Sequence, residues 1–337
     1  MKTMSVAILI GDRCPASGIF AVVDTLIAAN YSYRKVSGEK KDLFSFCLIG
    51  KETEYKAYNG FMISQVVPYQ QVERPDILIV PGMFEATVQE KRLAEALVAL
   101  EDYLKLIQDW HKQGTIIVGA CSGNFCLAAS GIALNRPLTA HWIMEHLAIK
   151  LFPEQSFDVN QLMLDHGDVI SVGGASAVAQ MVLYLVERFF GRELALLTGR
   201  LMLIEPAQDL QTPFSMFLPN RQHDDPYVNQ LQDLLEQNFQ TMESLPDIMA
   251  EVSLSERQLT RRFKQATGET PIAYLQRLRI EFVRRGLENS NKQVNSLIWE
   301  SGYEDVSSFR RLFKKTLGIT MTEYRQRYGG ISRQVAH

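Results

Sequence analysis

The sequence predicts two domains of different fold class: an α/β domain built on a doubly wound, mainly parallel sheet, followed by an all-α domain. Three observations lead to this prediction. The chain has 337 residues, too many for one ordinary hydrophobic core. Up to about residue 200, short apolar runs alternate with helical stretches, as they do in α/β domains. From Leu245 onward the apolar spacing is helical throughout, in short pieces separated by glycines.

The first domain is predicted from continuous apolar runs that stand between amphipathic stretches. The predicted strands are Val6–Ile10, Phe44–Gly50, Ile77–Pro81, Thr115–Gly119 and Val169–Val172. The predicted helices are Ile19–Asn30, Leu93–Gln113, Asn124–Ser130 and Ala175–Phe190. Strands that are apolar along their whole length are typical of a parallel sheet covered by helices on both faces, with right-handed crossovers.

The connection between the domains is predicted over residues 205–244. Residues 205–225 contain three prolines and few periodic apolar residues, which indicates a linker, and a helix is predicted at Pro226–Gln240. The domain boundaries that follow are 1–204 for the α/β domain, 245–328 for the helical domain and 329–337 for a tail.

Charge is spread unevenly along the chain. The formal net charge is -3, yet residues from Leu245 onward hold 16 lysines and arginines against 10 acidic residues, leaving 19 against 28 elsewhere. A basic block on an acidic body indicates a polyanion as the partner of that block.

Membrane and metal-binding classes are disfavoured by the pattern. No segment approaches the roughly 18 to 20 apolar residues of a membrane span, and the apolar run near the start is interpreted as a strand rather than a signal peptide. The four cysteines show no zinc-site spacing. We therefore expect a cytoplasmic protein with no membrane partner, no bound metal and no cofactor.

The segment Ser255–Gly268 predicts a well-capped helix. Ser255 is a good N-cap, Gln258 completes a capping box, and Gly268 is a left-handed C-cap. Leu259 and Phe263 form one apolar stripe. The other face is polar and basic, with Arg257, Thr260, Arg261 and Lys264.

About fifty residues later the layout repeats. Asp305 can cap a helix that runs to about Leu317, with Phe309 and Phe313 as its apolar stripe and Gly318 at its end. The remaining positions are mainly polar and basic, with Val306, Ser307, Arg310, Arg311 and Lys314.

Each of these two helices follows a shorter one across a tight turn. The short helices are predicted at Leu245–Met249 and Val294–Glu300, and Pro271–Asn289 is predicted as one long helix between the two units. This is helix-turn-helix spacing, and successive major grooves on one DNA face lie about 34 Å apart. The alternative is a small helical bundle with a solvated basic face.

Three motifs in this block resemble the AraC/XylS family of transcription regulators. They are S-x-x-x-L-x-R-x-F-K-x-x-x-G at Ser255–Gly268, P-x-x-Y-x-x-x-x-R at Pro271–Arg279 and G-Y-x-x-x-S-x-F-x-R-x-F-K at Gly302–Lys314. The resemblance implies that Arg257, Thr260 and Arg261 read bases in the first unit, and Val306, Ser307, Arg310 and Arg311 in the second. Two residues depart from the family pattern: Met321 replaces a proline, and Trp299 replaces a small residue, which suggests different packing behind the second reader.

In the first domain, Gly119-Ala120-Cys121-Ser122-Gly123 follows a strand and precedes a helix. G-x-C-x-G in this position predicts a nucleophile elbow with cysteine at its tip. Loops at the carboxyl ends of parallel strands converge on one crevice. The predicted ligand site therefore comprises Gly82, Met83, Cys121, Ser122, His141 and Trp142.

This domain resembles the class I glutamine amidotransferase-like superfamily, a flavodoxin-like fold, in particular the PfpI/GlxA-like sensor domains fused to AraC-type readers. The residues that carry the resemblance are Ile77–Gly82, Ala120–Ala128 and Gly131–Trp142, with Val169–Gly174 as a weaker match. It implies a ligand sensor that dimerises.

Catalysis by Cys121 is disfavoured by comparison with active relatives. Those commonly carry a histidine after the cysteine, where this chain has Ser122, and an acidic residue in the loop after the first strand, where this chain has Cys14–Gly18. We therefore expect ligand binding without turnover. A cysteine-dependent amidase, peptidase or deglycase, with Cys121 as the catalytic residue, and a domain used only for dimerisation remain the alternatives.

The functional hypothesis is a sequence-specific transcription regulator, an activator, controlled by a small metabolite bound near Cys121. Its expected partners are double-stranded promoter DNA, the small-molecule effector, a second copy of the chain and RNA polymerase.

Overall fold

A computed structural model describes residues 2–83, 90–174, 177–205, 210–221 and 223–330. The chain divides into two compact units, Met1–Gln211 and Thr212–His337. Residues 206–209 and 222 of the predicted connection and 331–337 of the predicted tail lie outside the described residues. Within the described ranges, no helix combines the length and apolar character needed to cross a bilayer.

The first unit is built on a mainly parallel sheet. Its strands are β1 (Met4–Leu9), β2 (Phe44–Gly50), β5 (Val67–Pro68), β6 (Ile77–Val80), β7 (Ile116–Ala120), β8 (Met163–Asp165) and β9 (Val169–Val172). Among the described residues, the order across the sheet is β5-β2-β1-β6-β7-β9-β8. All pairs are parallel except β8 with β9. A separate antiparallel pair is formed by β3 (Tyr55–Lys56) and β4 (Met62–Ile63).

Helices cover both faces of this sheet, as predicted. They are α1 (Ala16–Ser37), α2 (Glu90–Ala99), α3 (Glu101–Lys112), α4 (Gly123–Ser130), α5 (Glu145–Leu151), α6 (Val178–Phe190) and α7 (Arg192–Met202). Val6 and Ile8 of β1 contribute to one core, while Ala7 and Leu9 contribute to the other. This alternation is the period of two expected of a strand buried on both faces.

Three helix predictions in this unit need correction. The predicted Leu93–Gln113 helix is two helices, since Leu100 leaves the helical conformation between α2 and α3. The Ile19–Asn30 prediction was too short, because α1 continues to Ser37 and ends at Gly38 with a φ of +72°. The Ala175–Phe190 prediction is observed as Val178–Phe190, and residues 175 and 176 lie outside the described range.

The second unit is helical over its described residues. Its helices are α8 (Pro226–Asn238), α9 (Leu245–Ala250), α10 (Glu256–Thr267), α11 (Pro271–Asn289), α12 (Val294–Glu300), α13 (Val306–Leu317) and α14 (Met321–Tyr328). They form two separate hydrophobic cores, one around Leu259 and Phe263 and the other around Phe309 and Phe313. Helix α11 contributes to both, with Tyr274 in the first core. Helix α8, predicted as part of a connection, packs in the first core.

Candidate nucleic-acid interface and candidate ligand site

Helix α10 has the caps that the sequence predicts. The Ser255 hydroxyl accepts a hydrogen bond from the Gln258 main-chain N–H at 3.4 Å, and Gln258 Oε1 accepts one from the Ser255 N–H at 3.3 Å. Gly268 ends the helix with a φ of +86°, a conformation that favours glycine. These local bonds fix where the helix begins and ends, and thus which side chains it presents.

The apolar stripe of α10 determines its exposed face. Leu259 and Phe263 are fully buried, and they pack in one core with Ile248 and Met249 of α9. The predicted DNA-contacting side chains lie on other faces: Arg257, Arg261 and Lys264 are exposed and Thr260 is half-buried. The structure thus places all four residues on one helix whose apolar side is fully occupied.

Helix α13 repeats this arrangement. The Asp305 carboxylate accepts a hydrogen bond from the Ser308 N–H at 3.0 Å, and Phe309 and Phe313 are fully buried. Ser307, Arg310, Arg311 and Lys314 are exposed, and Val306 is half-buried. One difference from α10 is that Arg310 Nη2 donates to Asn295 Oδ1 of α12 at 3.0 Å.

The expectation for Trp299 is wrong. The indole was expected to alter packing behind the second reader, but Trp299 is 58% exposed on α12. Leu297 and Ile298 of the same helix fill the core instead. At Met321, the other departure, the helix start is intact, because Thr320 and Glu323 form a capping box around it.

The predicted elbow is present in the first unit. Cys121 stands between β7 and α4 with a φ of +54°, which is costly for a residue with a side chain. Its N–H donates to the Val172 carbonyl at 2.8 Å. A Cβ on Gly123 would lie 2.2 Å from the Val80 carbonyl oxygen. The small residue therefore allows α4 to begin directly against the end of β6.

The other predicted ligand-site residues lie on the same carboxyl edge of the sheet. A Cβ on Gly82 would lie 3.5 Å from both Ser122 Oγ and Pro15 Cγ, so the loops after β1, β6 and β7 meet there. His141 Nδ1 accepts a hydrogen bond from the Ile143 N–H at 3.3 Å, and burial lowers the pKa of its imidazole. The main-chain N–H of Trp142 donates to Gln211 Oε1 at 3.2 Å.

A cavity of about 540 Å³ opens at this edge, beside β1 and β2 rather than at Cys121. Met83 lines it and is the one predicted ligand residue that does so. Sequence reasoning missed the rest, among them Asp12, Arg13, Lys51, Arg92 and Tyr103. The strand order explains the place, since β2 and β6 flank β1 on opposite sides and crevices form at such switch points. The sequence alone did not supply that order.

The second unit is similar to a known family of DNA-binding domains. A family model described as a helix-turn-helix domain, HTH_18, matches residues 248–327. The second unit carries a helix-turn-helix domain of the AraC type. The match takes in both capped helices that follow the shorter ones, α10 and α13, together with the long helix α11 between them.

Two curated relatives are transcriptional regulators from Pseudomonas aeruginosa. The HTH-type transcriptional regulator GbdR is 24% identical over 229 residues, which cover 67% of this chain and 61% of GbdR. The HTH-type transcriptional regulator ArgR is 27% identical over 239 residues, covering 70% of this chain and 72% of ArgR. The chain thus matches less than two thirds of the length of GbdR.

The fold of the first unit also occurs in a solved structure. A ThiJ/PfpI family protein from Pseudomonas syringae superimposes with a TM-score of 0.50 at 15% identity, covering 63% of this chain and 79% of that protein. The shared stretch is longer than the whole second unit, so it cannot lie in the AraC-type domain alone. The prediction of an amidotransferase-like α/β fold with an AraC-type helical domain is confirmed.

Two arginines of the AraC-type domain bind residues that precede it in the second unit. Arg262 Nε donates to Asp225 at 2.8 Å, and this bond lowers the pKa of the Asp225 carboxyl. The Arg279 guanidinium donates to the Phe239 carbonyl at 3.1 Å. Of the adjacent pair Arg261 and Arg262, Arg261 is exposed, whereas Arg262 is half-buried.

One histidine–carboxylate pair in the first unit lies on the edge opposite the elbow. His111 Nε2 lies 2.7 Å from Asp168, the residue before β9, whereas Cys121 follows the parallel strand β7. Burial opposes ionisation of Asp168, but hydrogen bonds from Arg136 and His111 outweigh it and lower its pKa to about 2. This pair therefore cannot activate the Cys121 thiol.

Proposed function

We propose that this chain is a sequence-specific transcription regulator that binds promoter DNA, in the cytoplasm, through α10 and α13. The observation that carries the proposal is the repeated reader: two capped helices, each with its apolar stripe buried and its basic residues exposed. The relatives GbdR and ArgR, named as transcriptional regulators, support it.

The two readers divide DNA binding between base contacts and phosphate contacts. Arginine can donate in bidentate fashion to guanine, which gives about 1–3 kcal/mol of discrimination per contact. We assign this role to Arg257 and Arg261, with Thr260, in the first reader, and to Arg310 and Arg311 in the second. The remaining contacts come from Val306, Ser307, Lys264 and Lys314, with the lysines holding phosphates.

Gel-shift titration against salt tests DNA binding. A duplex enriched by the protein from a random-sequence pool should lose affinity steeply as salt rises, because bound phosphates release counterions. Sequencing of the enriched pool should show a shared element. Binding that is indifferent to salt, or a pool without a shared element, would contradict the proposal.

The first unit acts as the sensor, and a small metabolite binds at the carboxyl edge of its sheet without turnover. The convergence of Gly82, Met83, Cys121 and Ser122 supports this, as does the cavity that Met83 lines. If the metabolite binds one conformation of the regulator more tightly than another, it shifts the population towards that conformation and so controls transcription. His141 and Trp142 are proposed as outer walls of this site.

A thermal-shift screen with a metabolite panel tests the sensor role, since a ligand that binds only the folded state raises the melting temperature. Ala96→Trp fills the cavity, so it should abolish the shift in melting temperature if the ligand binds there. Cys121→Ser should abolish the shift if the ligand binds at the elbow. A panel in which both variants respond like the wild type would place the ligand elsewhere.

The regulator is proposed to act as a homodimer that activates through contact with RNA polymerase. Exposed apolar side chains on α1, Phe20, Ile27 and Tyr31, support pairing of two copies through this helix. Sedimentation of the wild type and of Ile27→Glu tests this, because a charge in the interface should yield monomers. A wild type that is monomeric at high concentration would refute it.

A second candidate function is cysteine-dependent hydrolysis, which one observation favours. The left-handed φ of +54° at Cys121 is the kind of strain found at catalytic elbows. Turnover of amide, peptide or glycated substrates by the wild type that disappears in Cys121→Ala would establish the enzyme.

A further inference from the structure

The segment 212–221, here called the strap, runs between the two cores of the second unit. Thr212, which is buried, donates from Oγ1 to the Leu317 carbonyl at 3.0 Å, at the end of α13. At the other end, Asn220 Nδ2 donates to the Ala266 carbonyl at 3.4 Å, near the end of α10. The strap therefore holds the carboxyl-terminal turn of both reader helices.

Aromatic contacts follow the same course. The Phe214 ring lies 6.0 Å from that of Tyr328, beside the second core. The Phe217 ring lies 5.1 Å from the Tyr274 ring, in the first core. The Arg277 guanidinium lies over the Phe217 ring, 4.7 Å from its centre. The strap thus packs against each core with a separate phenylalanine.

Arg284 of α11 anchors the middle of the strap. Its Nη1 donates to the Ser215 carbonyl, and its side chain is only 8% exposed. Glu281 and Glu288 lie 3.5 Å from its Nε. The two carboxylates compensate the charge of this buried guanidinium, and its bond to the Ser215 carbonyl joins the middle of the strap to helix α11.

The two reader helices pack in separate cores, so contacts that join the cores determine the spacing between these helices. Helix α11 joins the two cores, and a second bridge comes from Gln240, whose Nε2 donates to the Glu300 carbonyl at 2.9 Å. The strap differs from both in its place along the chain. Thr212 directly follows Gln211, the last residue of the first unit, so the strap is the part of the reader domain that the sensor is joined to.

We infer that the strap fixes the spacing of the two reader helices and is a positioning element for DNA elements that engage both readers. The inference rests on the proposed function in taking α10 and α13 as DNA readers. Its physical content is a contact chain from Leu317 through Thr212, Arg284 and Asn220 to Ala266.

The test compares Thr212→Val with Thr198→Val. Each removes one hydroxyl bond to a main-chain carbonyl from a buried threonine, but Thr198 bonds Leu194 within α7 of the first unit. Arg284→Met removes the central anchor as a third variant. Nitroxide labels attached through genetically encoded azido side chains at the exposed positions Gln265 and Lys315 report the distance between the readers in the full-length protein.

Thr212→Val and Arg284→Met should broaden the distance distribution, while Thr198→Val should leave it narrow. Affinity for the duplex enriched by the wild type should fall by about twofold to tenfold in Thr212→Val, the range that one lost hydrogen bond allows. Affinity for a shortened duplex that only the first reader protects should not change.

The outcomes separate the inference from the proposed function. If the wild type binds no DNA but the distances change as stated, the strap positions the helices and the DNA role fails. If the wild type binds DNA but Thr212→Val keeps the narrow distribution and full affinity, the inference is overturned. Should Arg284→Met fail to fold, Thr212→Val still decides.

Discussion

Two adjacent arginines of α10 should behave differently when each is replaced by alanine. Arg261 is exposed and has no ion-pair partner among the described residues, whereas Arg262 is bonded to Asp225 at 2.8 Å and its guanidinium lies 5.0 Å over the Tyr227 ring. Both changes remove the same charge from the same helix. A general electrostatic effect on DNA binding should therefore be similar for the two variants.

Arg261→Ala should lower affinity for the selected duplex by about tenfold to a hundredfold, the equivalent of about 1–3 kcal/mol for a bidentate guanine contact. Affinity for a shuffled duplex should change much less, and the melting temperature should not change. Arg262→Ala should lower the melting temperature, because Asp225 caps α8 and loses its partner, with little effect on sequence discrimination.

Fluorescence anisotropy at one fixed salt concentration gives both affinities, and calorimetry gives the melting temperatures. The reasoning is refuted if Arg261→Ala weakens the selected and shuffled duplexes equally, since Arg261 would then contact only phosphate. It is also refuted if Arg262→Ala relaxes discrimination more than Arg261→Ala does.

Three further predictions concern stability. Ser255→Ala should cost about 1 kcal/mol, since it removes the capping bond of α10; an unfolding midpoint equal to that of the wild type would contradict this. Gly123→Ala should destabilise the protein by about 3 kcal/mol, because its methyl would meet the Val80 carbonyl oxygen at 2.2 Å. Gly18→Ala in helix α1 meets nothing within 4 Å and should not destabilise the protein in denaturant titration, since alanine favours a helix more than glycine does. The pKa of Asp168 is lower in the folded protein, so its carboxylate stabilises the fold at pH values above its ordinary pKa of 3.8, and this stabilisation is lost as the pH falls towards about 2. In an acid titration followed by circular dichroism, Asp168→Asn should lose less stability over this pH range than the wild type does.

The sequence predicts the reader helices well because their signals are local. Ser255, Gln258 and Gly268 each act within one turn of α10, and the observed caps match them. Strands buried on both faces are predicted equally well from their continuous apolar runs, as in the fully buried Ile77–Val80. By contrast, β3 and β4 are two residues long, too short to give a period.

The ligand site is less accessible to sequence reasoning because it depends on strand order. Cys121 is conspicuous as an elbow, yet the cavity is lined by Arg13, Lys51 and Tyr103, which come from three separate parts of the chain. Nothing local links these residues. Their proximity follows from β2 and β6 lying on opposite sides of β1, which is a property of the whole sheet.

The two readers also differ in a way that only their contacts reveal. The sequence directs attention to Trp299 as a change in the packing behind the second reader, but that side chain is exposed. The relevant contact is instead Arg310 with Asn295 at 3.0 Å. Freeing Arg310 from this bond costs about 0.5–1.5 kcal/mol, while Arg261 gives up no protein bond among the described residues. The first reader should therefore supply most of the sequence discrimination, and Asn295→Ala should strengthen binding of the second reader rather than weaken it.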